Sequence, residues 1–267
     1  MFIICYVLSL IVSAFLVLKM LKYKKNDPFP KGSVLWMILW GAWVAVVIGV
    51  GLLSIDEIKA AITGGNSPVI EAFNGGDPLA VKEELEELKV GEPITFSYLF
   101  REAFIEAAIP EEIGKYLVAL YFIFKKKLAG SRPIFNSAIC CGLVALGFEM
   151  IEDIMYVSGD AFVAVLRGVM PLHFCVDIIM GYFIGKAIAS GSKFWHLPAL
   201  LVPIMIHGIY DGIIYALDIS DWILLLWFVV YVFLIALTVG EMIILSAESK
   251  KGENGQWQNS VQTAESL

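Results

Sequence analysis

Seven long apolar runs separated by shorter polar stretches organise this chain of 267 residues. They cover Phe2–Leu21, Val34–Ile55, Tyr98–Phe124, Ile134–Val157, Ala161–Ala189, Phe194–Leu217 and Trp222–Leu245. Each is near or above the roughly 20 residues an α-helix needs to cross about 30 Å of hydrocarbon. The pattern predicts an all-α, polytopic membrane protein with about seven transmembrane helices. Its membrane domain spans residues 1–246. The loop over residues 56–95 is acidic (Glu83, Glu84, Glu86, Glu87) and broken by Gly64-Gly65-Asn66 and Gly75-Gly76-Asp77, with a surface helix expected from Asp77 to Val90. Residues 247–267 are rich in Gln, Ser and Glu without apolar periodicity, and read as a disordered tail.

Composition strengthens this picture. The chain is 59% hydrophobic and 17% charged, with a mean hydropathy of +0.79, above the 45–50% apolar content typical of soluble domains. A net charge of −7 argues against nucleic acid as a partner and leaves the bilayer and membrane proteins as the natural ones. Cys5, Cys140, Cys141 and Cys175 all fall in apolar runs without CxxC spacing, so they read as small core residues.

The basic residues set an orientation. Lys19, Lys22, Lys24, Lys25 and Lys31 follow the first run, and Lys125, Lys126, Lys127 and Arg132 the third. Lys186 and Lys193 close the fifth, and Lys250 and Lys251 follow the seventh. With seven crossings all four clusters share one side, which the positive-inside rule makes the cytoplasm. The N-terminus is then outside and the tail cytoplasmic.

Inside the apolar runs lie charges that are costly to place there, about 2.5–3.5 kcal/mol each at mid-bilayer. The third run holds Pro110-Glu111-Glu112-Ile-Gly-Lys115, in which Pro110 should kink or restart the helix and Lys115 can face either glutamate. Arg101, Glu102 and Glu106 precede them and read as interfacial. The fourth run carries Glu149 and Glu152 on one face, with Asp153 beside them at the expected outer rim. His173 with Asp177, and His207 with Asp211, are i, i+4 pairs in which a carboxylate can orient the ring, fix its tautomer or complete a metal site. His196 reads as an ordinary interfacial residue. Counted at 1.5 Å per residue from their helix ends, Glu111, Glu149, His173 and His207 all sit near mid-membrane or slightly outside it. They can converge into one intramembrane polar cavity facing the extracytoplasmic side.

These patterns together resemble the PrsW family of intramembrane proteases, grouped with the CAAX prenyl endopeptidases and bacteriocin-immunity-type proteases. The matching residues are Glu111-Glu112-x-x-Lys115, Phe148-Glu149-x-x-Glu152, His173 with Gly181 in Met180-Gly181-Tyr182-Phe183-Ile184-Gly185, and His207-Gly208-x-x-Asp211. The resemblance covers a core of about residues 98–217. It implies an intramembrane endopeptidase cutting a membrane-associated protein or peptide, such as an anti-sigma factor, near the extracytoplasmic side. The catalytic group would be Glu111, Glu112, Glu149, His173, His207 and Asp211, supported by Lys115, Glu152 and Asp177. Two features depart from the family: Asp177 stands where a small residue is expected, and the acidic loop is longer.

Peptide hydrolysis needs an activated water, a stabilised oxyanion and a protonated leaving amine. Glu111 or Glu112 would activate the water, and His173 and His207 would stabilise the oxyanion, with Asp211 orienting His207. Alternatively His173, His207 and Glu149 would make an open zinc site. With no HExxH, a glutamate-centred mechanism without metal is preferred. The same Glu, His and Asp residues could also line the pathway of a proton- or cation-coupled transporter, but no inverted repeat or matched helix break supports that. A silent scaffold is the third reading.

Overall fold

The computed structural model describes residues 2–25, 28–63, 95–156 and 169–265. Among these the regular structure is helical. Helix α1 is Phe2–Tyr23 and α2 is Ser33–Thr63. Helix α3 is continuous over residues 96–125 but changes pitch along its length. Helix α4 is Pro133–Tyr156, α5 is Leu172–Ser190, α6 is His196–Tyr215 and α7 is Asp221–Glu265. Among the described residues, five stretches are long and apolar enough to cross a membrane: Ser33–Gly51, Pro133–Met155, Leu172–Ser190, Lys193–Tyr215 and Asp221–Lys250. Helix α3 stands where a span was expected but carries Arg101, Glu102, Glu106, Glu111, Glu112 and Lys115.

Helix α4 is the axis of the bundle. From Phe135 to Glu149 every residue is buried, because the helix is apolar around nearly its whole circumference and must be covered on all sides. Small residues let its neighbours come close. A Cβ on Gly181 or Gly185 of α5 would overlap the α4 backbone at Ala138 and Ile134, and one on Gly147 of α4 would overlap Ile38 of α2. Without a hydrophobic drive between helices in lipid, such close backbone approach is what holds them together. The outer faces are apolar: Trp36, Trp40 and Trp43 on α2 and Phe228, Val232 and Phe233 on α7 are all exposed. In water such faces would aggregate; in a bilayer they meet acyl chains.

At one end of the bundle several basic residues are tied in. Lys24 donates to Asn136 Oδ1 at 2.9 Å and lies 4.5 Å from the centre of the Phe29 ring. Tyr23 donates to the Met242 carbonyl at 3.2 Å, and Arg132 pairs with Glu248 at 3.8 Å. These bonds join the end of α1, the start of α4 and α7.

Three sequence expectations change. Helix α2 runs on to Thr63, into the expected loop, of which residues 64–94, with the Asp77–Val90 surface helix, lie outside the described residues. Helix α7 continues to Glu265, through the tail read as disordered, because extending a formed helix costs far less than nucleating one. The fifth run is interrupted: α5 starts only at Leu172, because Pro171 has no N–H to donate and disfavours a helical residue before it.

Gly181→Val should lower thermal stability in detergent by about 1–3 kcal/mol, as overpacking of a close contact does. Gly240→Ala, where nothing lies within 4 Å, leaves stability unchanged or raises it. Equal melting of wild type and Gly181→Val would contradict this account of the α4–α5 seam.

Candidate active site

The site is built where four helices bring polar side chains to one buried point. In α3 the regular helix Ile109–Leu120 begins with Pro110 in its first turn, after a wide π-helical stretch, Arg101–Ala108, in which the Ile109 N–H bonds back to the Phe104 carbonyl. A proline ring clashes with the carbonyl four residues earlier in a regular helix, and widening the preceding turns relieves that clash. From there Glu112, Lys115, Tyr116 and Ala119 form the buried face. Gly208 on α6 lets the widened stretch approach, since a Cβ there would meet the Phe104 ring.

Lys115 and Glu112 are the centre. Lys115 Nζ donates to Glu112 Oε1 at 2.6 Å, and both side chains are fully buried. The same ammonium is 2.7 Å from His173 Nδ1, 3.8 Å from Asp177 Oδ1 and 4.9 Å from the centre of the Phe148 ring. Glu112 Oε1 also accepts from His207 Nδ1 at 2.8 Å. His207 Nε2 lies 3.0 Å from Asp211 Oδ2, so the i, i+4 pair forms as its spacing predicts. The His173 and His207 rings meet edge to face with centres 4.8 Å apart, and Phe148 packs on His173 at 4.7 Å.

Helix α5 starts one residue before His173, which exposes the backbone N–H of His173 among the unpaired donors of the first turn. Glu149 Oε2 takes that N–H at 2.8 Å, a carboxylate on the positive end of a helix. Glu152 pairs with His173 Nε2 through its carboxylate. Glu149 therefore grips the backbone of α5 while Glu152 grips the ring.

Glu111 differs from its neighbour. Its side chain is 12% exposed, its Oε2 takes no hydrogen bond, and that oxygen lies 3.9 Å from His173 Nε2 and 3.8 Å from His207 Nε2. Glu111, His173 and His207 thus form a group whose donor atoms all lie within 4.8 Å. Glu149 groups with Glu152 and His173 instead, and does not join both histidines. Two imidazoles and a carboxylate are the donor types of an open zinc site, and the Glu112 carboxylate on the far nitrogen of His207 is the usual support for such a ligand. The far nitrogen of His173 faces an ammonium, which does not fit ligation through its Nε2.

Every candidate catalytic or supporting residue named from the sequence enters this cluster. Asp153 differs from expectation: placed at a solvated rim, it is 1% exposed. His196 lies apart, bonded to the Tyr116 hydroxyl at 2.7 Å, and Arg101 pairs with Glu102 at 3.0 Å and with Glu106 at 3.5 Å. Two residues carry no role in the sequence pattern: Phe148, the aromatic wall against both His173 and Lys115, and Glu241 of α7, 7% exposed and outside the cluster, whose signal is a lone acid within an apolar run.

Residues 29–238 match the family described as PrsW family intramembrane metalloprotease. Protease PrsW of Oceanobacillus iheyensis is 29% identical over 188 residues, which cover 67% of this chain and 86% of that protein. Protease PrsW of Bacillus subtilis is 31% identical over 130 residues, 46% of this chain and 58% of that protein. The match to Protease PrsW of Geobacillus kaustophilus, 30% identical over 120 residues, covers 43% and 52%. No solved structure matches. A family match over most of the chain, on a helical bundle with glutamates and histidines gathered inside it, leads to one assignment: the chain belongs to the PrsW family of intramembrane proteases.

Proposed function

We propose that this protease cleaves a membrane-associated protein, such as an anti-sigma factor, by a water that Glu111 activates. The observation that carries the assignment is the unequal treatment of the two glutamates. Glu112 is fully buried and spent on Lys115 and His207, whereas Glu111 holds an unbonded oxygen in front of both Nε2 atoms. A general base needs a free lone pair within reach of the water's proton, and Glu111 supplies it. His207, steadied by Asp211 and Glu112, stands where it can stabilise the oxyanion and pass a proton to the leaving amine. Glu149 acts through His173, by holding the first turn of α5.

The family description makes these enzymes metalloproteases. Zinc would supply Lewis acidity and a more acidic water. Glu111, His173 and His207 have the donor types for it, yet the contacts around His173 favour the glutamate-centred route. The transporter reading has no supporting observation and gives way to family membership.

Seven crossings, with α1 and α3 added to the five apolar stretches, account for the gathering of Lys24 and Arg132 at one end. We place that end in the cytoplasm and the N-terminus outside.

Three outcomes test this reading. With tagged single-pass membrane proteins as substrates in liposomes, Glu111→Gln lowers kcat by about 10²–10⁴-fold, the usual worth of a general base. Glu106→Gln, in the surface pair with Arg101, leaves cleavage unchanged. Retained activity in Glu111→Gln would remove Glu111 from the mechanism. Cleavage also survives a strong chelator, and its loss would restore the metal route. In a variant whose four native cysteines are replaced by serine or alanine, Lys31→Cys is labelled by an impermeant maleimide only after the membrane is opened; labelling in intact cells would reverse the orientation.

A further inference from the structure

An ammonium carries protons and no lone pair, so it can only donate. Lys115 Nζ stands 2.7 Å from His173 Nδ1, which therefore accepts. A neutral ring that accepts at Nδ1 carries its proton on Nε2. There it meets the Glu152 carboxylate, an acceptor, so both ends of the ring agree on one tautomer. Two of the three Lys115 protons go to Glu112 and His173. The third has one carboxylate near it, Asp177 Oδ1, which forms an ion pair at 3.8 Å from a side chain 1% exposed whose two oxygens take no hydrogen bond. Asp177 follows His173 by one turn on α5, so it reaches the lysine from the same helix as the ring.

We propose that Lys115 sets the tautomer of His173 and that Asp177 anchors Lys115 in the position to do so. Both are positioning residues. Held this way, His173 faces Glu111 and Glu152 as an N–H donor and offers no lone pair to a metal. His207 is placed differently: its Nδ1 meets the Glu112 carboxylate and its Nε2 meets Asp211. The two rings are then unequal in role, His173 being a fixed donor. The ion pair with Lys115 also gives Asp177 a function.

This deepens the reading of the same site, and it is measured without substrate, so it can fail while the protease assignment stands. The chain contains three histidines, so ring-¹⁵N histidine labelling of the full-length protein in nanodiscs gives three pairs of ring signals, Nδ1 and Nε2 for each. His196→Gln and His207→Gln assign them. The expected spectrum shows His173 with Nε2 protonated and Nδ1 bare, unchanged when zinc is added. A proton on Nδ1 in the wild type, or zinc displacing the Nε2 proton, would overturn the proposal. Asp177→Asn should populate the second tautomer and lower kcat by about tenfold with KM unchanged, the scale of a lost supporting contact. Asp177→Glu should restore both. An unaltered His173 signal in Asp177→Asn would remove the anchoring role. Lys115→Met should populate the second tautomer as well, and a His173 signal that keeps its proton on Nε2 would remove Lys115 from that role; should this variant fail to fold, the wild-type spectrum and Asp177→Asn still decide the proposal.

Discussion

A lysine ammonium and a glutamate carboxylate 2.6 Å apart, both wholly buried, dictate how the centre of this bundle is arranged. Taking two such ions out of water costs several kcal/mol each, and their attraction offsets it only when good geometry and further hydrogen bonds accompany the pair. Those further bonds are what join the helices. Glu112 and Lys115 come from α3; Glu112 accepts from His207 of α6, and Lys115 donates to His173 of α5. Glu149 of α4 then joins the network by taking the His173 backbone N–H. Four helices are thus cross-linked by one network around the ion pair. The residues proposed for the chemistry are the same ones that satisfy it.

The site also depends on two helix irregularities. In lipid every backbone polar group must find a partner within the protein, so a helix that starts or widens at membrane depth must be compensated. Pro110 marks the return of α3 to regular pitch directly before the two glutamates, and Pro171 precedes the start of α5, two residues before His173. At α5 the compensation is visible: Glu149 satisfies an N–H of the first turn and thereby fixes the residue whose ring stands in the site. At α3 the π-helical stretch lets the chain arrive with Glu112 and Lys115 on the buried face and Glu111 beside them, partly open.

Much of this was legible in the sequence because charge inside an apolar run is expensive. That cost alone singled out Glu111, Glu112, Lys115, Glu149, His173, Asp177, His207 and Asp211, and helical spacing paired His207 with Asp211. What periodicity could not supply was the third dimension. The contacts of Glu111 and Glu112 differ because only Glu112 hydrogen-bonds to Lys115 and His207, and adjacency in sequence gives no hint of which would. Asp153 was placed at a solvated rim by counting along α4, but a rim residue can be covered by neighbouring helices. The start of α5 was missed although Pro171 marks it, because a long apolar run outweighed a single breaker. Helix α7 overran its expected end because polar residues that form no core can still continue a helix already nucleated.

The central claim is that Glu112 and Lys115 act as one buried unit, and a double-mutant cycle in thermal unfolding tests it most directly. Each of Glu112→Gln and Lys115→Met leaves a buried charge without its partner, and should cost about 3–5 kcal/mol. The double variant removes both charges and should lose clearly less than the sum of the two. Costs that simply add would show that the two residues are independent and that the network has another centre.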